Sequence, residues 1–102
     1  MNQLIFYVDE KHHHQGKLLY AWLLEEAKAS GIHGGSAFRA IAGFGRHGHL
    51  HEETFFELAG ELSVRVEFIA DDVLAGQLLE RVKSQHLNIF YVRHKVHAGT
   101  TA

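Results

Sequence analysis

From Leu62 to Ile69 apolar and polar residues alternate. Leu62, Val64, Val66 and Phe68 fall on one face of an extended chain, with Ser63, Arg65 and Glu67 on the other. That period predicts a strand with one buried face. The runs "LIFYV" (4–8) and "NIFYVRHKV" (88–96) differ, because consecutive apolar residues put hydrophobic side chains on both faces of a strand. From Lys17 to Ser30 the period becomes helical: Leu19, Tyr20, Leu23, Leu24 and Ala27 share one side, and Glu25, Glu26 and Lys28 the other. Gly31 follows as the stop signal. A second helix is expected after Asp71 and Asp72, which offer an N-cap, with Leu74, Leu78 and Val82 as its stripe and Ala75 and Leu79 alongside. "SAFRAIAG" (36–43) reads as a further strand, broken by the glycines after it, and "HAGTTA" (97–102) as a short polar tail.

The order is therefore β-α-β-β-α-β, an α+β pattern of the ferredoxin-like type. Right-handed crossovers place the first strand between the third and the last, with both helices on one face of a four-stranded antiparallel sheet. The other face of the first and last strands is also apolar, so it should be buried against another subunit, since large bare patches are rare on monomers. The same topology gathers histidines. His12, His13 and His14, then His47, His49 and His51, and finally His86 all fall in connections at one end of the sheet, with His33 and His97 at the other and His94 on the last strand.

Composition sharpens this in a few places. The 102 residues suffice for one domain, 1–102, with 46% hydrophobic and 22% charged residues. A net charge of −2 gives no electrostatic footprint for nucleic acid. No apolar run approaches the roughly 18 residues of a membrane span, so membrane insertion is not expected. The N-terminal residues lack the basic start and small-residue cleavage site of a signal peptide, and a cytoplasmic location is expected. There are no cysteines, which removes disulfide and thiol chemistry. The 10 histidines are the anomaly, and they should make surface charge strongly pH-dependent near pH 6.

His47, His49 and His51 alternate, so on an extended segment their imidazoles face one way, and a curled loop could present them to Zn, Ni or Cu. Alternatively they belong to a solvated loop. Arg46 and Arg39 could pair with phosphate, or with Glu52, Glu53 or Glu67 of a neighbouring subunit. Glu67 also reads as a structural hydrogen-bond or ion-pair partner, and Trp22 as packing. Asp71 and Asp72 are accounted for by capping, and no serine or threonine sits beside a His–Asp pair. No enzymatic activity is expected.

"AGFGRHGH" (42–49) resembles the base of the long T-loop in PII signal-transduction proteins. "VRVEFIADDVLAGQLLERV" (64–82) is similar to their third strand and second helix, and "NIFYV" (88–92) to the start of their last strand. The match is closer to the compact PII-like family known as domain-of-unknown-function family 190, in which a "GKPLYEAL"-like helix start precedes "RGIAGFG"; here the segments read "GKLLYAWL" and "RAIAGFG". The resemblance runs over residues 3 to 96. It implies a homotrimer with nucleotide-sized clefts between subunits and a T-loop-like segment at about 44–60 that signals to a membrane transporter, a channel or an enzyme.

Carried over by position, the resemblance implies ligand contacts from Gly43, Gly45, Arg46 and His47 at the loop base, Glu67 on the third strand, Asn88 opening the last strand, and Arg93 as a partial counterpart of the basic C-terminal residues. Phe44 would stack on an adenine ring or anchor the loop. The connection "SQHLN" (84–88) lacks the glycines and lysines with which PII proteins hold phosphates, so AMP, ADP, a cyclic nucleotide or a small anion such as bicarbonate is expected ahead of ATP. The tyrosine-containing T-loop segment that some PII proteins modify is absent, and Phe55 and Phe56 carry no hydroxyl. No cofactor is required. Two other readings stay open: a histidine-rich metal-binding or metal-tolerance trimer of ferredoxin-like type, and a structural subunit of a larger complex.

Overall fold

The structure, a computed structural model, describes residues 1–44 and 62–102. Strand β1 (Asn2–Asp9) leads into a small hairpin, β2 (His13–His14) and β3 (Lys17–Leu18), which delivers the chain into helix α1 (Leu19–Ala29). Then come β4 (Gly35–Arg39), β5 (Ser63–Ala70), helix α2 (Asp72–Lys83) and β6 (Phe90–Lys95). The main sheet has the order β4-β5-β1-β6, antiparallel throughout. This is the expected ferredoxin-like arrangement with β1 in the interior.

Alternation along β5 produces its burial directly: Val64, Val66, Phe68 and Ala70 lie at 5% exposure or less, while Arg65 and Ile69 are exposed. Opposite them on β1, Leu4, Phe6 and Val8 complete the inner sheet face. Leu19, Trp22, Leu23 and Ala27 of α1 and Ala75, Leu78, Leu79 and Val82 of α2 pack onto it. The Phe6 ring meets Phe68 edge-on at 6.4 Å. Asp71 caps α2 as expected, its carboxylate accepting from the Leu74 amide at 2.8 Å. Gly31, at φ +99°, carries the left-handed turn that ends α1.

Three boundaries differ from the sequence reading. Helix α1 begins at Leu19, not Lys17, because Lys17 and Leu18 pair with His14 and His13 across a turn at Gln15 (φ 52°) and Gly16 (φ 83°). Two successive positive φ values are what a tight two-residue hairpin turn requires. Strand β4 stops at Arg39 instead of running to Gly43. Its partner β5 starts at Ser63, and after Arg39 pairs with Val64 the Ala40 amide donates to the Ser63 carbonyl at 2.8 Å. Beyond it Ile41 and Phe44 stand 97% and 85% exposed. β6 is shorter than 88–96, starting at Phe90 after a left-handed residue, His86 (φ 57°).

Candidate functional site

The two edge strands, β4 and β6, are the least covered elements of the sheet: every residue of β4 is exposed and none of β6 is buried. The helices contact β4, β5 and β1. Phe90 and Tyr91, on opposite faces, are 43% and 39% exposed. Two surfaces result.

On the helix side, Tyr91 and Arg93 line a groove of about 810 Å³ against α2, whose wall is Asp72, Val73, Gly76, Leu79, Glu80 and Lys83. Gly76 leaves space there: a Cβ at that position would stand 3.8 and 3.9 Å from the Arg93 guanidinium nitrogens. Arg93 donates to the Asp72 carbonyl at 3.1 Å and, more weakly, to Asn2 Oδ1 at 3.4 Å. A guanidinium has five N–H donors, so most remain available to the groove. The mouth is held by Asp72, which accepts from Lys95 Nζ at 2.8 and 3.0 Å and from the buried Asn2 amide. The Lys95 hydrogen bond, then that of Asn2, lowers the Asp72 carboxyl to about 2.

The second surface is the sheet face turned away from the helices. Register puts three cross-strand rows on it: Phe38, Arg65, Tyr7 and Phe90; Ser36, Glu67, Ile5 and Val92; Ile69, Gln3 and His94. Tyr7 and Phe90 rings stand 5.8 Å apart. Arg65 lies over the Phe38 ring at 5.1 Å and pairs with Glu67 at 3.2 Å. Glu67 therefore has an ion-pair partner in its own chain, set in a face that mixes apolar residues with Arg65, Ser36, Gln3 and His94.

At the loop base, Gly43 and Phe44 follow β4, and Arg39 pairs with Glu10 at 2.9 Å. Asn88 is exposed between α2 and β6. Gly45, Arg46 and His47, and the metal candidates His47, His49 and His51, lie outside the described residues, as does nearly all of the loop segment 44–60. The described candidates do not converge within one chain. Gly43 and Phe44 follow one edge strand, Glu67 is on the open face, and Arg93 is on the other edge strand and the opposite face. Three strand spacings, about 14 Å, separate the two edges.

The described part of the histidine-rich end is built into the fold. Adjacent residues on β2 point to opposite sides: His13 is exposed, whereas His14 meets Trp22 edge-on at 4.8 Å. His14 Nε2 lies 3.0 Å from Gln85 Oε1, which also accepts from Gln15 Nε2 at 3.1 Å. Trp22, 3% exposed, is packing as expected, with Arg81 over its ring at 5.9 Å. Among the described residues no three histidine, aspartate or glutamate side chains stand close enough to share a metal ion. No described helix is long and apolar enough to cross a membrane.

Sequence reasoning missed the groove residues Asp72, Gly76 and Tyr91. The signal was present in the two-sided apolarity of "IFYV", but it was referred to the open face alone.

Comparison with known proteins gives these surfaces a family context. Residues 1–98 match the model of the DUF190 family, described as an uncharacterized ACR. The chain is 36% identical over 83 residues to the UPF0166 protein of Aquifex aeolicus (strain VF5), covering 81% of this chain and 79% of that one. Its backbone is similar to the crystal structure of a candidate PII-like signaling protein from Thermus thermophilus. There the TM-score is 0.57 at 21% identity, covering 91% of this chain and 84% of the other. By this match the chain belongs to the DUF190 (UPF0166) family, and its fold is PII-like.

Proposed function

We propose that this protein is a regulatory sensor and not an enzyme. It binds a small anionic effector between subunits of a homotrimer, and the segment 44–60 signals occupancy to a transporter, channel or enzyme. An adenine nucleotide with few phosphates, or a small anion such as bicarbonate, fits the limited positive charge of Arg93, Lys95 and Lys83. The observation that carries the reading is the separation of the candidate contacts. Gly43 and Phe44 at one edge and Arg93 at the other are too far apart for one chain to close a pocket, and they meet if edges of neighbouring copies approach. The apolar open face of β1 and β6 supports the same assembly. Family membership and the PII-like fold add the precedent of a signaling protein of this architecture.

A ligand that orders or releases the loop acts only through its different affinity for the two loop states. Calorimetric titration of the purified protein with AMP, ADP, ATP, cyclic AMP and bicarbonate tests the proposal. Heat is expected for at least one of these, with ATP weaker than AMP or ADP; silence from all five removes the sensor reading.

A further inference from the structure

Among the described residues the arginines differ in how far they are committed. Arg65 and Arg81 each meet a glutamate and an aromatic ring, and Arg93 meets Asn2 and the Asp72 carbonyl. Arg39 meets Glu10 alone, its Nε 2.9 Å from Oε2, and its side chain is 69% exposed.

The two partners in that contact are unequal. The Glu10 side chain is 14% exposed, and its Oε2 is buried without a well-aligned hydrogen bond. Charge holds Arg39 there at hydrogen-bond distance, but not in hydrogen-bond direction. Of the five guanidinium N–H donors, the four on Nη1 and Nη2 have no partner among the described residues. Glu10 itself is anchored. Its amide donates to the Leu62 carbonyl at 3.1 Å, and the amide of Ala40, next to Arg39, donates to the Ser63 carbonyl at 2.8 Å. The ends of β1 and β4 and the start of β5 are thus stitched together around this pair. Register puts Arg39 in the row of Val64 and Val8, on the helix-covered face and just before the exposed Ile41.

From this we infer that Arg39 is an oxyanion contact at the loop base, and that Glu10 is the residue that positions it. A carboxylate at Nε fixes the guanidinium, and the terminal fork then offers two parallel N–H groups to a phosphate or a bicarbonate. Leaving a largely buried carboxylate without its cation is costly, so an incoming anion adds to the pair and does not displace Glu10. An arginine held in advance also avoids part of the ordering cost that a free surface side chain meets on binding. The inference rests on the effector reading above and adds to it one contact and the group that orients it.

The test is calorimetric titration of the full chain with inorganic phosphate, AMP and bicarbonate, with circular dichroism to confirm that each variant is folded. Arg39→Ala should weaken binding of whichever of these the wild type takes, on the order of 10-fold. Arg39→Lys keeps the charge without the fork and should recover only part of that loss. Glu10→Gln removes a negative charge near the anion, so charge alone would tighten binding. Positioning requires the reverse, a loss of roughly 2- to 10-fold, the ordering cost of one long side chain. Arg39→Ala combined with Glu10→Gln should bind no more weakly than Arg39→Ala, because Glu10 acts only through Arg39. Unchanged affinity in Arg39→Ala overturns the contact, and equal or tighter binding in Glu10→Gln overturns the positioning. Either result leaves the sensor reading standing, since the wild type still binds. A wild type silent toward all three probes overturns this inference, and the sensor reading falls with it only if ADP, ATP and cyclic AMP are silent too.

Discussion

Single residues fix two features that burial percentages alone do not reveal. At Gly35 a Cβ would stand 2.3 Å from Cε1 and 2.5 Å from Cδ1 of Phe68, a ring that is 2% exposed in the core. Even alanine must push that ring aside, so Gly35→Ala should cost about 1–3 kcal/mol in urea denaturation. Nothing in "GIHGGSAF" distinguishes Gly35 from Gly34, since the reason is a residue more than thirty positions away. Asp72 is the second case. Its folded carboxyl is held at about 2, against an ordinary value of 3.8, chiefly by Lys95 and then by Asn2. A depressed carboxyl binds fewer protons folded than unfolded, so its stabilisation is present above pH 3.8 and is lost as pH falls towards 2. Lys95→Met should shrink the acid-induced loss of stability in that window, measured as denaturation midpoint against pH, because it lowers the midpoint above pH 3.8 and leaves it nearly unchanged near pH 2. In the sequence both aspartates looked like capping; only the structure separates Asp71, which caps, from Asp72, which ties the start of α2 to β6.

At the scale of elements, legibility followed the length of the repeating pattern. Eight alternating residues were enough to define β5, and the five-residue stripe of α2 located its buried face. The β2–β3 hairpin was not visible because its strands are two residues each, and "HHHQGK" carries no period. Its turn depends on Gly16 at φ 83°, and Gly16→Ala should cost about 1 kcal/mol, read by thermal melting. The hairpin also shows why a histidine triplet is a poor guide to metal binding. His14 is committed to Trp22 and Gln85, so removing it should be felt by the protein's one tryptophan. His14→Ala should change Trp22 fluorescence intensity, while His13→Ala, at an exposed position, should not. β4 was read four residues too long because its sequence stays apolar through Ile41. Strand length is set by the partner, and β5 begins only at Ser63.

For the whole molecule, the sequence conveyed the topology more clearly than the site. Alternation and apolar runs are properties of neighbours along the chain, and crossover handedness then leaves few topologies. A binding site assembled across strands, as the one proposed is, has no such local trace. Gly43, Glu67 and Arg93 became candidates by resemblance, and their placement on different edges and faces is a fact of three dimensions. Arg93→Ala should lower effector affinity on the order of 10-fold in the calorimetric titration, the loss expected for a charge-assisted hydrogen bond. The metal reading of His47, His49 and His51 has its own check. Untagged protein should contain no stoichiometric zinc, nickel or copper if the effector reading is right, and one metal ion per chain would favour the alternative.

The bareness of β6 on both sides has a consequence for how the protein responds to dilution. In the proposed assembly Phe90 and Tyr91 gain further cover from another chain, so part of the free energy that holds this strand in place would be supplied by mass action. The melting temperature should rise with protein concentration, where a self-sufficient domain would show one value. In dilute solution the amides of β6 should exchange hydrogen before those of β1 and β5, which are buried by the chain's own helices. Abundance in solution would then set how much of the population holds its outer strand in place, before any effector arrives.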